Sequence, residues 1–341
     1  MPQGRCHQLQ VYGVQFNMKV YGRIDYTGTM LYKGAALNLE YIVDDYKHGL
    51  SLTKGYIGGG YISNAGWTVV TTIQNATDTY GTSANANLVS PHRYGGYFSS
   101  HINGYILWGD GGSYGYINKK MSFATENVTA IDSRSYGSYP STIQHGIGYE
   151  PNGTMFGSKG YTLANSSTNY EKFTFNTDTF RAASDASIYA GDQSYNQAWF
   201  DKNYGWSLAS DGVTRRYEYS SETWSTRSPS PNYTLSLSYW GKGLPTKDGK
   251  SYVHPGGIVA PFMKFMHTTE SYMTNPYEQT LNNDEQPTVM GQNHGYFAGG
   301  YNGVQNAHTD RVEYNTDTVI KVFDAPRALS AGCPMYSGQM A

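Results

Sequence analysis

Short apolar strands running into glycine recur along the whole chain, each followed, after a polar stretch, by a turn of fixed outline. The strand elements are VYG (11–13), GYIGGGY (55–61), GYILWGDGG (104–112), TMFGSKGY (154–161), YGWSLASDG (204–212), SYVHPGG (251–257) and GYFAGGYNG (295–303). The turn reads aromatic, polar, Thr or Ser, acidic, Thr, apolar. Its clearest copies are FNTDTF (175–180), YNTDTV (314–319) and YSSETW (219–224), with FATENV (123–128), NATDTY (75–80), HTTESY (267–272) and the shorter YTGTM (26–30) following the outline. A third element precedes the strand element, as HGLSL from His48, RYGGYF from Arg93, HGIGY from His145 and HGYF from His294. Corresponding stretches begin near Gln197 and Leu237, and SAGCPMYSG (330–338) is the last. No unit places apolar residues at i, i+3, i+4 and i+7 over a helical length, and glycine is too frequent for helix interiors. The pattern predicts β-strands throughout.

The turns begin at positions 26, 75, 123, 175, 219, 267 and 314, a mean spacing of 48 residues in a chain of 341. Units of that length holding three to four short antiparallel strands match a propeller blade, for which the period is about 40–50 residues. Rungs of a β-solenoid are usually shorter. The prediction is therefore an all-β fold, a seven-bladed β-propeller occupying 1–341 as one domain, with six or eight blades as alternatives. The approximate blades are 48–91, 92–144, 145–195, 196–236, 237–292 and 293–330. The N-terminal stretch lacks a first element and the C-terminal stretch ends on one, so 1–47 and 331–341 are expected to share a composite blade that closes the ring. Cys6 and Cys333, the two cysteines, would fall in that blade. They are a candidate disulfide there, with two free thiols as the alternative.

The turn has a physical reading: a Thr, Ser, Asp or Glu oxygen accepts a backbone N–H in a tight connection, while the flanking residues enter the two strands. Asp78, Glu126, Asp178, Glu222, Glu270 and Asp317 are then parts of hairpins. As a ring of cation ligands they are less apt, because each stands apart from other carboxylates and calcium takes six to eight oxygens.

Composition sharpens the picture. Leu, Ile, Val and Phe make up about 17% of the chain, under the roughly 20% that marks most foldable sequences. A net charge of −2 and 33 Tyr argue against disorder, and tyrosine supplies the missing apolar volume. Near-balanced charge without a basic block argues against nucleic-acid binding. No apolar run is long enough to span a bilayer, and residues 1–10 lack a signal peptide's apolar stretch.

Strand-GG elements followed by a turn of the F/Y-N-T-D-T type resemble kelch-like propeller repeats, in a divergent form similar to repeats of virion structural proteins of tailed phages, especially marine and cyanobacterial ones. The resemblance covers almost the whole chain and is most specific at 295–319 and 170–180. Within the strand elements, clean double glycines occur only at Gly58 to Gly60, Gly111–Gly112, Gly256–Gly257 and Gly299–Gly300, and the Trp usual near the turn stands only at Trp224. These departures weaken any transfer of cellular kelch adaptor roles.

The sequence carries no H-E-x-x-H, G-x-S-x-G, P-loop or G-x-G-x-x-G motif, and His48, His145 and His294 recur at equivalent repeat positions, which marks them as structural. A non-enzymatic protein without cofactor or metal is expected. The Gly- and Tyr-rich stretches 110–116 and 300–306 offer aromatic rings that stack on sugars beside groups that bond hydroxyls. Asp110, Tyr114, Tyr116, Tyr301 and Asn302 are accordingly candidate glycan contacts. The resemblance implies a virion component on tail, neck or capsid, assembled in the host cytoplasm, docking on other virion proteins with contact to a host-surface glycan. An extracellular bacterial lectin or filament subunit and a propeller glycosidase are the alternatives.

Overall fold

The computed structural model describes residues 6–11, 14–19, 29–32, 35–38, 54–62, 65–92, 96–100, 102–107, 118–131, 143–149, 152–157, 170–174, 177–182, 197–201, 203–208, 212–221, 223–227, 242–246, 249–254, 262–275, 279, 286–291, 293–301, 304–325 and 333–336. Regular structure among them is entirely β. No helix there is long and apolar enough to cross a membrane.

Met1–Tyr46 forms one compact unit and Lys47–Ala341 another. The first holds two antiparallel hairpins, β1 (Cys6–Val11) with β2 (Val14–Lys19) and β3 (Thr29–Tyr32) with β4 (Ala35–Asn38).

The second unit is the propeller. It opens with β5 (Lys54–Gly58), β6 (Tyr61–Ile62), β7 (Ala65–Gln74) and β8 (Thr79–His92). Five four-stranded antiparallel meanders follow. Blade 1 is β9 (Gly96–Ser99), β10 (Asn103–Leu107), β11 (Lys119–Ser122) and β12 (Val128–Ala130). Blade 2 is β13 (Ile143–Tyr149), β14 (Asn152–Gly157), β15 (Tyr170–Thr174) and β16 (Thr179–Ala182). Blade 3 is β17 (Gln197–Phe200), β18 (Tyr204–Leu208), β19 (Thr214–Glu218) and β20 (Thr223–Arg227). Blade 4 is β21 (Lys242–Pro245), β22 (Lys250–His254), β23 (Met263–Met266) and β24 (Ser271–Thr274). Blade 5 is β25 (Thr288–Met290), β26 (His294–Tyr301), β27 (Gln305–Glu313) and β28 (Val319–Asp324). The chain ends its regular structure with β29 (Cys333–Tyr336), which joins β5–β8 as a closing sheet.

The first strands of successive blades lie side by side, and β29 lies against both β25 and β9, so the ring is closed by the C-terminal strand. Two expectations are corrected here. The propeller has five four-stranded blades and a closing sheet, not seven blades. The N- and C-terminal strands do not share a blade, because β29 pairs with β5 in the register Cys333↔Gly58 to Tyr336↔Gly55. Of the two copies in excess, NATDTY (75–80) joins β7 and β8 of the closing sheet, and YTGTM (26–30) lies in the separate N-terminal unit. That copy also lacks the acidic residue on which, as described below, blade contacts depend. Cys6 lies on β1 and Cys333 on β29, so the shared-blade argument for joining them falls with the composite blade.

The core lies between blades. One cluster combines Trp199, Trp206 and Leu208 of blade 3 with Val253, Met263 and Phe265 of blade 4. Another joins Tyr56, Val70 and Met335 of the closing sheet to Tyr97, Ile106 and Met121 of blade 1. Glycine in the second strand makes room for the preceding blade: a Cβ on Gly55 would overlap Val289 of β25, and one on Gly104 would overlap Met335 of β29. Thin layers filled by flat rings account for the low aliphatic content.

Candidate functional site

Tyr301 ends β26, opposite Gln305, and is 41% exposed beside Val304 at 67%. It sits at the tip of a hairpin whose base is bent by Gly299 and Gly300, at φ 64° and 112°. Asp110, Tyr114, Tyr116 and Asn302, the other candidate contacts, lie outside the described residues.

The recurrent turn joins the third and fourth strands of each blade. In blade 1 the Ser122 N–H bonds the Asn127 carbonyl at 3.0 Å and the Glu126 N–H bonds the Ser122 carbonyl at 2.7 Å. Hydroxyls face each other beside the acid, as in Thr316–Thr318 at 2.8 Å and Thr269–Ser271 at 2.7 Å. A backbone N–H is taken by the Thr125 hydroxyl, from Asn127 at 3.3 Å. The acid itself is left-handed: φ is 51° at Asp78, 58° at Glu126, 51° at Asp178, 48° at Glu270 and 59° at Asp317. Few non-glycine residues adopt this conformation, and a longer side chain such as Glu has little local hydrogen bonding to offset it.

The offset comes from the preceding blade. Asp317 of blade 5 accepts hydrogen bonds from Tyr252 Oη at 2.6 Å, Lys250 Nζ at 2.7 Å and Lys264 Nζ at 2.5 Å, all in blade 4. Asp178 of blade 2 accepts from Tyr105 Oη at 2.9 Å and from Lys120, in blade 1. Glu126 of blade 1 accepts from Lys54, from Tyr56 Oη at 3.1 Å and from Ser83 Oγ at 2.5 Å, in the closing sheet. Asp78 of the closing sheet accepts from Tyr296 Oη at 2.6 Å and from Arg311, in blade 5. Glu270 of blade 4 meets Arg216 and Arg227 of blade 3, where Trp206 stands in place of tyrosine and the Arg216 guanidinium lies 4.2 Å from the Tyr204 ring.

Sheet register explains the recurrence. Tyr105 lies directly across from Lys120, Trp206 from Arg216, Tyr252 from Lys264 and Tyr296 from Arg311, so ring and cation project into the same gap. The electrostatics follow. Burial pushes the Asp317 carboxyl up, but the hydrogen bonds from Lys250, Lys264 and Tyr252 together outweigh it and bring the pKa from 3.8 to about 2. Burial likewise opposes, and the Lys54 and Ser83 bonds outweigh, at Glu126, which ends below the usual carboxylate value. The Tyr56 and Tyr296 hydroxyls are held well above the ordinary phenol range, by burial first and then by their carboxylates.

The junction of blades 3 and 4 departs from this plan. Ser251 occupies the place glycine holds in β5, β10 and β26, and His267 the place of the turn aromatic. Ser251 Oγ and His267 Nε2 are 2.8 Å apart, and His267 Nδ1 lies 3.4 Å from Asp201 Oδ2. Asp201 Oδ1 in turn accepts the N–H groups of Asn203 and Tyr204, both at 2.7 Å. The imidazole stacks on Trp206 with centroids 4.5 Å apart. The order Asp, His, Ser is that of a nucleophilic relay. In this arrangement the Ser251 side is fully buried, and the contacts tie the first turn of blade 3 to the second strand of blade 4.

The latch between sheets, in which the turn acid of one accepts from the tyrosine and cation of the one before, was missed because its halves belong to different repeats. A signal for it does exist: Lys120, Lys172, Arg216, Lys264 and Arg311 each stand six residues ahead of the acid of their own turn, and four of them bind the acid of the next blade. No group of three or more His, Cys, Asp or Glu side chains among the described residues is arranged to hold a metal ion. The chain matches no protein-family model and no curated protein by sequence.

Proposed function

We propose that this chain is a non-enzymatic structural and docking protein, a propeller of the kind its repeats resemble in tailed-phage virion proteins, presenting irregular loops to another virion protein and to a host-surface glycan. The observation that supports this reading most is the latch. The recurrent carboxylates Asp78, Glu126, Asp178, Glu270 and Asp317 are engaged by cations of the preceding sheet, which suits them to rigidity rather than to turnover. Repeated tyrosines are used the same way. Variation is concentrated instead in the connections between second and third strands, where the Gly-rich stretches occur.

Mass spectrometry of purified particles tests the assignment, with peptides of this chain expected in constant ratio to other particle proteins. Recovery from infected-cell lysate but never from particles would overturn it. Glycan release on incubation of the purified chain with polysaccharide would overturn the non-enzymatic part.

A further inference from the structure

We propose that the gap between blades 4 and 5 is an acid-sensitive seam, held at one end by Asp317 and opening from the other when His254 takes a proton. Lys250, Tyr252 and His254 stand at alternate positions of β22, so all three face blade 5. The first two bind Asp317. His254, at the far end of the strand, is 1% exposed, and its Nε2 has no hydrogen-bond partner. In the other sheets that carry a ring at the place of Tyr252, the residue two positions on is Gly58, Leu107, Leu208 or Ala298. Blade 4 alone among these puts a titratable group there.

The facing wall is also polar and under-bonded at that end. The Thr288 hydroxyl donates to the Gly243 carbonyl at 3.0 Å, which turns this side of β25 toward blade 4. The Ala298 N–H bonds the Pro287 carbonyl at 3.0 Å and continues the pairing back to Gln286. Gln286 therefore shares the side of Thr288; it is 2% exposed, and neither atom of its amide has a partner.

The charges of the gap are already committed. Phe297 packs edge-on against Phe262, just before β23, so Asp310, which stands across from Phe297, and His308, two residues away, face the same gap. Those two are 3.1 Å apart and bonded to each other. Asp324 and Lys321 stand across from His308 and Asp310 on β28 and pair with one another at the exposed edge. On blade 4, Lys242 of β21 stands across from His254, while Lys250 and Lys264 are held by Asp317. Every carboxylate of the gap among the described residues thus has a cation or imidazole, and a proton on His254 adds a buried charge with no acid to receive it.

A neutral imidazole is tolerated in a cluster with the Tyr252, Phe262 and Phe297 rings on the same gap; a charged one must reach water. Burial lowers the His254 pKa from 6.5 to about 4, and no charged neighbour offsets it. Once the gap opens the imidazole recovers its ordinary value, so the closed form is fully favoured above 6.5 and loses ground as pH falls toward about 4. Between pH 7 and pH 5 that difference raises the opened fraction about twentyfold. Asp317, lowered to about 2, stays ionised over this window, so the latch end remains closed and the opening is local.

Hydrogen exchange of the full chain, read by mass spectrometry at pH 7 and pH 5 and corrected for intrinsic exchange rates, tests the seam. Peptides covering 250–254 and 286–298 are expected to open about twentyfold more at pH 5, while 204–208 and 214–218 of blade 3 change less than about twofold. His254→Phe is expected to abolish the difference. His254→Gln, which keeps a polar side chain that does not titrate, is expected to abolish it too, even with faster opening at both pH values. Equal protection at pH 7 and pH 5, the same increase in every blade, or a pH dependence kept by either variant would overturn the seam.

Discussion

Tyr252 of blade 4 donates its phenolic hydrogen to the carboxylate of Asp317 in blade 5, at 2.6 Å across 65 residues of chain. The acceptor sits in a left-handed turn, and Lys250 and Lys264 bracket it. Backbone strain at the turn and charge pairing in the gap are therefore one device.

Replacing Asp317 separates its two components. Asp317→Ala keeps the left-handed backbone with nothing to offset it and takes an acceptor from Lys250, Lys264 and Tyr252, at a cost of about 1–3 kcal/mol. Asp317→Asn still accepts from Tyr252 and tolerates the turn, so it should cost less. Asp317→Gly relieves the backbone alone and should fall between them. Denaturant unfolding of the three variants gives the order.

Acid should weaken the protein in two stages. His254 is buried on β22, and burial lowers its pKa from 6.5 to about 4. The unfolded chain takes up that proton first, so this contribution is full above 6.5 and is lost as pH falls toward about 4. Asp317, lowered from 3.8 to about 2, contributes above its unfolded value and loses that contribution as pH falls toward about 2. His254→Phe should remove the first stage of a melting-temperature profile and leave the second.

The Ser251–His267 pair should behave as a unit. Blade 5 has Gly295 and Tyr314 at these places, and a Cβ on Gly295 would meet the Tyr314 hydroxyl at 2.5 Å. His267→Tyr alone therefore overpacks Ser251 and should cost about 1–3 kcal/mol. Adding Ser251→Gly should recover most of that loss, a non-additivity that a double-mutant cycle reads directly.

Ring closure should depend heavily on one side chain. Met335 on β29 is fully buried, packs in the cluster of the closing sheet and blade 1, and fills the space left by Gly104. Met335→Ala should cost about 2–5 kcal/mol, and a second substitution, Gly104→Ala, should be better tolerated in that background than in the native chain. Thermal melts of the two single variants and the double variant check both statements.

Strand-glycine elements and acidic turns were legible because each is local: glycine, tyrosine and the turn residues lie within a few positions of one another. The coupling of Tyr105 to Asp178, or of Tyr56 to Glu126, was not, since the partners stand 73 and 70 residues apart in different repeats. The miscount at YTGTM has the same origin, because a turn outline without its acid looks like a repeat only when the partner in the preceding sheet is out of view. A cation six residues ahead of the acid is the missing criterion; it is present in five copies, replaced by Thr72 in the closing sheet, and absent from YTGTM. Closure was legible as a need but not in its partner, since nothing local to Cys333–Tyr336 names β5 over an N-terminal strand.

At the five junctions whose acid is described (Glu222 of blade 3 lies outside the described residues), the acid reaches back and a tyrosine or a cation of the preceding sheet receives it, so the contact has a direction along the chain. Such an interface is head-to-tail, and copies joined that way either curl shut or continue without end. A duplicated blade would bring both halves of its own interface with it and fit between existing neighbours with no new contact to evolve. What limits the number is the angle each junction adds and the one place where β29 must meet β5.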